Sequence, residues 1–186
     1  MVSILSLWLP ILLSGVFVFI ASALIHMVLK YHNGDFVRAP SEDAVMEALR
    51  PFNIPPGEYM LPHADTTAER ESEAFKAKAD KGPVALLNVF PNGMPGMTSP
   101  LIQWFVYCVV VSVFAAYIAS RAVDTGADYL DVFRFAGCTA FVGYGLAHIQ
   151  ASIWYRRKWS VTAKNLIDAL VYGLLTGGTF GWLWPS

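Results

Sequence analysis

Four stretches of the chain carry apolar residues with few interruptions. They run over residues 4–29 ("ILSLWLPILLSGVFVFIASALIHMVL"), 101–120 ("LIQWFVYCVVVSVFAAYIAS"), 132–154 ("VFRFAGCTAFVGYGLAHIQASIW") and 165–184 ("NLIDALVYGLLTGGTFGWLW"). A helix rising about 1.5 Å per residue needs about 20 residues to cross a hydrocarbon core of about 30 Å, so each stretch is long enough for one span. The pattern predicts an all-α membrane protein of four transmembrane helices: a first span within residues 1–29, a connection at 30–99, and three further spans within 100–186. Pro10 falls in the first two turns of the first span, where a missing backbone donor costs least, and bends the entry without ending the helix. No basic residue precedes this run and no small-x-small cleavage site follows it, so it is expected to be retained.

The connection at 30–99 has a pattern of its own. "APSEDAVMEALRPF" offers Ser41 as an N-cap, Glu42 and Asp43 in the first turn, an apolar face of Val45, Ala48 and Leu49, and Pro51 as a stop. "TTAERESEAFKAKADKGP" predicts a second helix, with Thr66 and Glu69 as a capping box, acids leading, lysines trailing, and Gly82 and Pro83 at its end. "GEYML" and "VALLNVF" are short apolar runs bounded by proline and glycine that can pair as two strands. A small α/β cap between spans one and two is the expectation, resting on the cytoplasmic ends of the bundle because a lone two-stranded ribbon is marginal in water.

Composition agrees with a membrane location. With 55% hydrophobic and 15% charged residues and a mean hydropathy of +0.47, the chain is too apolar for an ordinary soluble domain. Trp8, Trp182 and Trp184 lie at one set of span ends and Trp104, Trp154 and Trp159 at the other, where amphipathic rings prefer to sit. Eleven of the 13 lysines and arginines lie in the connections 30–99 and 155–164, which an even number of crossings places on one side. The excess of basic residues predicts that side to be cytoplasmic and both termini to be outside. The bilayer is the expected partner, and a net charge of −1 gives no footprint for nucleic acid.

Helices in lipid associate through close contact, and small residues at helical spacing mark the surfaces that approach. Ala169, Gly173, Gly177 and Gly181 form such a stripe in the fourth span, and Thr139, Gly143, Ala147 and Ala151 a matching one in the third. Their simplest use is mutual packing within one chain. Their other use is a seam for a homo-oligomer or for another membrane subunit.

Few ionisable groups lie inside the spans. At about 1.5 Å per residue, His26 and His148 sit about 6 and 12 Å below the same membrane face. Asp168 starts the fourth span from that face, and the loop carrying His32 and His63 is anchored there. Neutral imidazole ligates metals and haem iron, so His26, His148, His63 and Asp168 are the candidate ligands. The alternative is that His26 and His148 bond to Ser22, Gln150, Tyr144 or a backbone carbonyl, while Asp168 caps its own helix or pairs with Arg156 or Arg157. No H-x-x-x-H, E-x-x-H or C-x-x-C spacing occurs, nor a phosphate-binding glycine loop or nucleophile elbow. Cys108 and Cys138 enter from opposite faces, too far apart in depth for a disulfide, and read as buried small apolar residues.

A long first span, a proline-rich insert with "KGPVALLNVFP" and the closing span "ALVYGLLTGGTFGWLWP" together resemble uncharacterised bacterial inner-membrane proteins of four helices. The resemblance covers the whole chain and implies a multi-pass protein of the bacterial inner membrane, without bringing an activity, cofactor or site residue. The favoured expectation is a non-catalytic accessory or scaffold subunit, with no cofactor, that packs through Gly143, Ala147, Gly173, Gly177 and Gly181. One alternative is a metal- or haem-binding redox protein using His26 and His148; another is an oligomeric channel or transporter.

Overall fold

The computed structural model describes residues 2–186. In chain order its elements are helix α1 (Ile4–Val28), helix α2 (Glu42–Leu49), strand β1 (Gly57–Leu61), helices α3 (Thr67–Glu71) and α4 (Glu73–Lys81), strand β2 (Ala85–Val89), and helices α5 (Thr98–Ala122), α6 (Tyr129–Tyr155) and α7 (Trp159–Trp182). They form two compact units, one of the residues up to Phe36 with Gly96–Ser186, the other of Val37–Pro95.

The first unit is a bundle of the four long helices. The chain is mostly helical, and three of these helices, α1, α5 and α6, are long and apolar enough to cross a membrane, which is compatible with a multi-pass membrane protein. Four such helices were expected. Helix α7 matches the others in length, but Asn165 and Asp168 and its glycines and threonines dilute its hydropathy. The polar residues Thr162, Asp168, Thr176 and Thr179 are all buried within the unit. Polar groups of a membrane bundle belong on such protein-facing surfaces.

Small residues bring the helices together. A Cβ on Gly173 would stand 2.9 Å from the Gly137 carbonyl oxygen, and one on Gly177 would stand 2.8 Å from that of Phe133. Gly181 meets the Tyr129 ring in the same way, at 2.7 Å. Glycine is required there because the α6 backbone itself occupies the space a side chain would need. The α6 surface that faces this stripe differs from the expected one. It is made by Phe133, Gly137, Phe141 and Gly145, whereas Gly143 faces Val111 of α5, and Ala147 is exposed. The expected stripe of Thr139, Gly143, Ala147 and Ala151 is offset by two residues from this one, about 200° round the helix, so it turns away from α7. Helices α1 and α5 approach at Gly15, whose Cβ would lie 3.2 Å from Val109, and Ser14 donates to Ser112 Oγ at 2.9 Å.

Two buried clusters fill the bundle. Leu7, Ile11, Ala115, Ala119, Val132, Ala136 and Phe180 pack at one end, and Val18, Ile25, Cys108, Val111, Ala140, Tyr144, Ala169 and Tyr172 toward the other. Cys108 is buried but Cys138 is exposed, so only the first fills a core position, and both are free.

In the second unit β1 and β2 pair antiparallel, with Gly57 opposite Val89, Tyr59 opposite Leu87 and Leu61 opposite Ala85. Thr66 caps α3 by accepting from Glu69 N–H at 3.1 Å, while the Glu69 carboxylate reaches back to Asp65 N–H at 2.9 Å. The single helix expected after Thr66 is two, because extended Ser72 starts a new one by accepting from Phe75 N–H at 3.1 Å. Ser41 does not cap α2; it stands in the left-handed region at φ 50°, with its side chain unused there. No residue of 37–95 is buried. The boundary also moves: residues 30–36, expected in the cap, belong to the helical unit.

Candidate functional site

The chemistry of the first unit gathers where α1 ends. A π turn over Leu24–Val28 closes α1 and carries His26. Lys30 then takes a left-handed conformation at φ 55°, and Asn33 N–H and Asp35 N–H bond to the carbonyls of Lys30 and His32. This tight reversal brings Tyr31, His32 and Asp35 onto Lys164 and Asp168 of α7.

The side chains interlock. His32 sits between two carboxylates, with Nδ1 2.6 Å from Asp35 Oδ2 and Nε2 2.8 Å from Asp168 Oδ2. The Tyr31 hydroxyl donates to the second oxygen of Asp168. The Lys164 ammonium donates to Asp35 Oδ1 at 2.7 Å and to the Tyr31 carbonyl at 2.6 Å. Both carboxylates are buried, so each needs the donors it has been given. Burial by itself raises the Asp35 pKa, but the hydrogen bonds and charges of Lys164 and His32 outweigh it and hold the carboxyl below the ordinary 3.8.

His26 completes the group. Its ring stacks on His32 with centroids 4.6 Å apart and planes 5° from parallel. His26 Nδ1 lies 3.0 Å from the Ser22 carbonyl, to which it donates, leaving Nε2 as the free lone pair. One ligating atom from each of His26, His32 and Asp168 falls within 4.8 Å of the others, with His26 exposed and Asp168 buried. Nδ1 of each imidazole is therefore fixed by an oxygen, from the Asp35 carboxylate or the Ser22 carbonyl, while His32 Nε2 bonds Asp168 and would exchange that bond for an ion. Such an arrangement is what sets tautomer and ring orientation at metal sites.

Beside this group lies a cavity of about 470 Å³, lined by Ser22, His26, Trp104, Tyr107, Gly143, Tyr144, Ala147, His148, Asn165, Asp168 and Tyr172. Two π turns contribute to its wall, Leu24–Val28 through His26 and Val142–Leu146 through Gly143 and Tyr144. The four aromatic rings pack with centroids 5.3 to 6.1 Å apart. Tyr107 donates its hydroxyl to the Gly143 carbonyl at 2.6 Å, and Tyr144 donates to that of Cys108 at 3.4 Å. Among the described residues, the buried Trp104 Nε1 and Tyr172 hydroxyl have no hydrogen-bond partner, although Ser22 neighbours the latter without satisfying bond geometry.

Of the four candidate ligands read from sequence, the structure brings together His26 and Asp168. His148 lines the same cavity, accepting weakly from Asn165 at 3.4 Å, but stands outside the convergent group. His63 belongs to the second unit, where it is exposed and 3.2 Å from Asp65. Asp168 pairs with Tyr31 and His32 rather than with Arg156 or Arg157. His32, Asp35 and Lys164 were not among the candidates. The signal was "YHNGD", in which an Asn-Gly turn between a histidine and an aspartate three residues apart turns both side chains to one side. Comparison with protein families, with curated proteins and with solved structures finds no match.

Proposed function

We propose that this chain is an integral membrane protein of four spans that holds a divalent first-row transition-metal ion between His26, His32 and Asp168. The observation that carries the reading is the convergence of two imidazoles and a carboxylate, with Nδ1 of each imidazole already engaged by a fixed oxygen acceptor. Two nitrogens and one oxygen make a three-ligand set that leaves coordination positions open, the arrangement of sites that act on a bound water or ligand. The stacked, exposed His26 and the adjoining cavity are on the side where such positions would be reached.

Contacts at both ends of α7 support its crossing the membrane. At one end Lys164 and Asp168 hold the segment that follows α1. At the other, Pro185 accepts from Gly126 N–H at 2.9 Å, and Trp184 Nε1 donates to the Asp124 carbonyl at 2.9 Å. Residues 124 and 126 lie in the turn between α5 and α6, so α7 runs the full length of the two helices beside it. Ile167, Leu170 and Leu174 form an exposed apolar face suited to lipid. The distribution of basic residues favours residues 30–99 in the cytoplasm and both termini outside, and the resemblance to bacterial four-helix proteins favours an inner membrane.

The accessory-subunit reading loses its main support, since Gly173, Gly177 and Gly181 are consumed by contacts to α6 of the same chain. The haem reading needed His26 and His148 as a pair, and the channel reading needed polar groups along a common axis.

Metal loading tests the proposal. The full chain, purified in detergent and equilibrated with Co(II) or Zn(II), should retain one equivalent by elemental analysis, and the Co(II) form should show a visible ligand-field band. Substituting His26 and His32 together by alanine should abolish both. Metal retention unchanged in that double variant would sink the reading.

A further inference from the structure

We infer that the cavity beside the histidine cluster takes a lipophilic planar ring carrying hydrogen-bond acceptors, the chemistry of a quinone headgroup. The inference rests on the membrane reading of α5 and α6, and it does not need the metal.

The wall has flat apolar faces. Trp104, Tyr107, Tyr144 and Tyr172 surround the space with tilted and edge-on rings, and Tyr107 and Tyr144 have turned their hydroxyls to backbone carbonyls. What they offer a ligand is ring surface. A volume of about 470 Å³ is within the range of small-molecule sites and suits a single substituted ring with the start of a tail.

The wall also has donors in surplus. Trp104 Nε1–H can only donate, and neither it nor the Tyr172 hydroxyl has a partner, with Tyr172 only 4% exposed. Buried polar groups of this kind are normally satisfied, and more so where water is scarce. Two unpartnered donors on side chains that line one aromatic cavity match a ligand with acceptors on its ring. A cation would be the other guest for an aromatic box, but the one carboxylate at the wall, Asp168, already accepts from Tyr31 and His32.

The way in is lateral. Tyr107 on α5 and Ala147 on α6 line the cavity and are also exposed on the outer surface of the bundle, which in a bilayer faces lipid. A ligand dissolved in the membrane reaches the cavity without passing through water.

The test uses the full chain in lipid nanodiscs, treated with chelator so that its outcome is independent of the metal. Equilibrium binding of 2-decyl-1,4-benzoquinone is compared with that of decylbenzene, which has a planar six-membered ring and the same tail but no acceptor. The quinone should bind saturably and decylbenzene should not compete. Tyr172→Phe and Trp104→Phe, each checked for fold by circular dichroism, should each weaken quinone binding about tenfold, as expected for a lost buried hydrogen bond. Ala147→Trp should abolish it by closing the mouth. Competition by decylbenzene equal to that of the quinone, unchanged affinity in Tyr172→Phe, or binding of tetraphenylphosphonium in place of the quinone would each overturn the inference. The comparison of the two decyl compounds on the unaltered chain decides the matter even if a variant fails to fold.

Discussion

His32 Nε2 and Asp168 Oδ2 meet at 2.8 Å across a sequence separation of 136 residues, joining the segment that leaves the first helix to the last helix of the bundle. With Asp35 and Lys164 this contact closes a polar cluster of two carboxylates, an ammonium and an imidazole at one end of an otherwise apolar unit. Buried ionisable groups are retained where they have partners, and here every one has at least two.

The metal reading separates ligands from supports. His26→Ala, His32→Ala and Asp168→Ala should each lower Co(II) or Zn(II) affinity by well over tenfold. Asp35→Asn should lower it by about 10- to 100-fold, because it orients His32 without touching the ion. His148→Ala should leave affinity unchanged. Isothermal titration of the detergent-solubilised variants measures all five, and a large effect of His148→Ala would move the site into the cavity.

The Asp35 contacts imply a sign for the pH dependence of stability. Its carboxyl titrates below 3.8 in the folded chain, so its stabilising contribution is complete above the ordinary value and is lost as pH falls through the lowered one. Thermal unfolding in detergent should therefore show a midpoint that is steady down to about pH 4 and drops below it. Asp35→Asn should start from a lower midpoint at neutral pH and lose less on acidification. An equally steep acid drop in that variant would assign the effect to other carboxylates.

Glycine substitutions on α7 should split according to what stands opposite. Gly177→Ala places a methyl group 2.8 Å from the Phe133 carbonyl and 3.1 Å from Gly137 Cα, both backbone, and should cost about 1–3 kcal/mol. Gly178→Ala, which meets only the Tyr129 hydroxyl at 3.5 Å, should be nearly neutral. Denaturation in mixed micelles compares the two.

Topology is checked by labelling single cysteines in intact cells, on a background with Cys108 and Cys138 replaced. Met60→Cys and Arg157→Cys should be modified from the same face. Ser186→Cys should be modified from the opposite one if α7 crosses. Labelling of residues 157 and 186 from one face would return the count of spans to three.

The second unit should not fold alone. None of its residues is buried, its one ribbon has two strands, and Val45, Met46 and Leu49 of α2 are exposed. A fragment of residues 37–95 should give the far-ultraviolet circular dichroism of an unfolded chain.

Much of the architecture was legible in the order of residues, because span length, capping and turn formation are local. About twenty apolar residues are enough for a span, Thr66 caps its helix through a bond three residues away, and the runs "GEYML" and "VALLNVF" mark two strands by their composition, although they pair across residues 62–84, which hold α3 and α4. What tertiary structure decided was which distant groups meet and which way a helix face turns. Helix α6 presents Phe133, Gly137, Phe141 and Gly145 to the last helix rather than Gly143 and Ala147, which lie two residues, about 200°, round from that stripe. A single left-handed residue, Lys30, folded Tyr31, His32 and Asp35 back onto α7, and so made His32 rather than His148 or His63 the companion of His26 and Asp168. The choice between two periodic faces of α6 and the reversal at Lys30 are both settled by contacts that exist only once the bundle has formed.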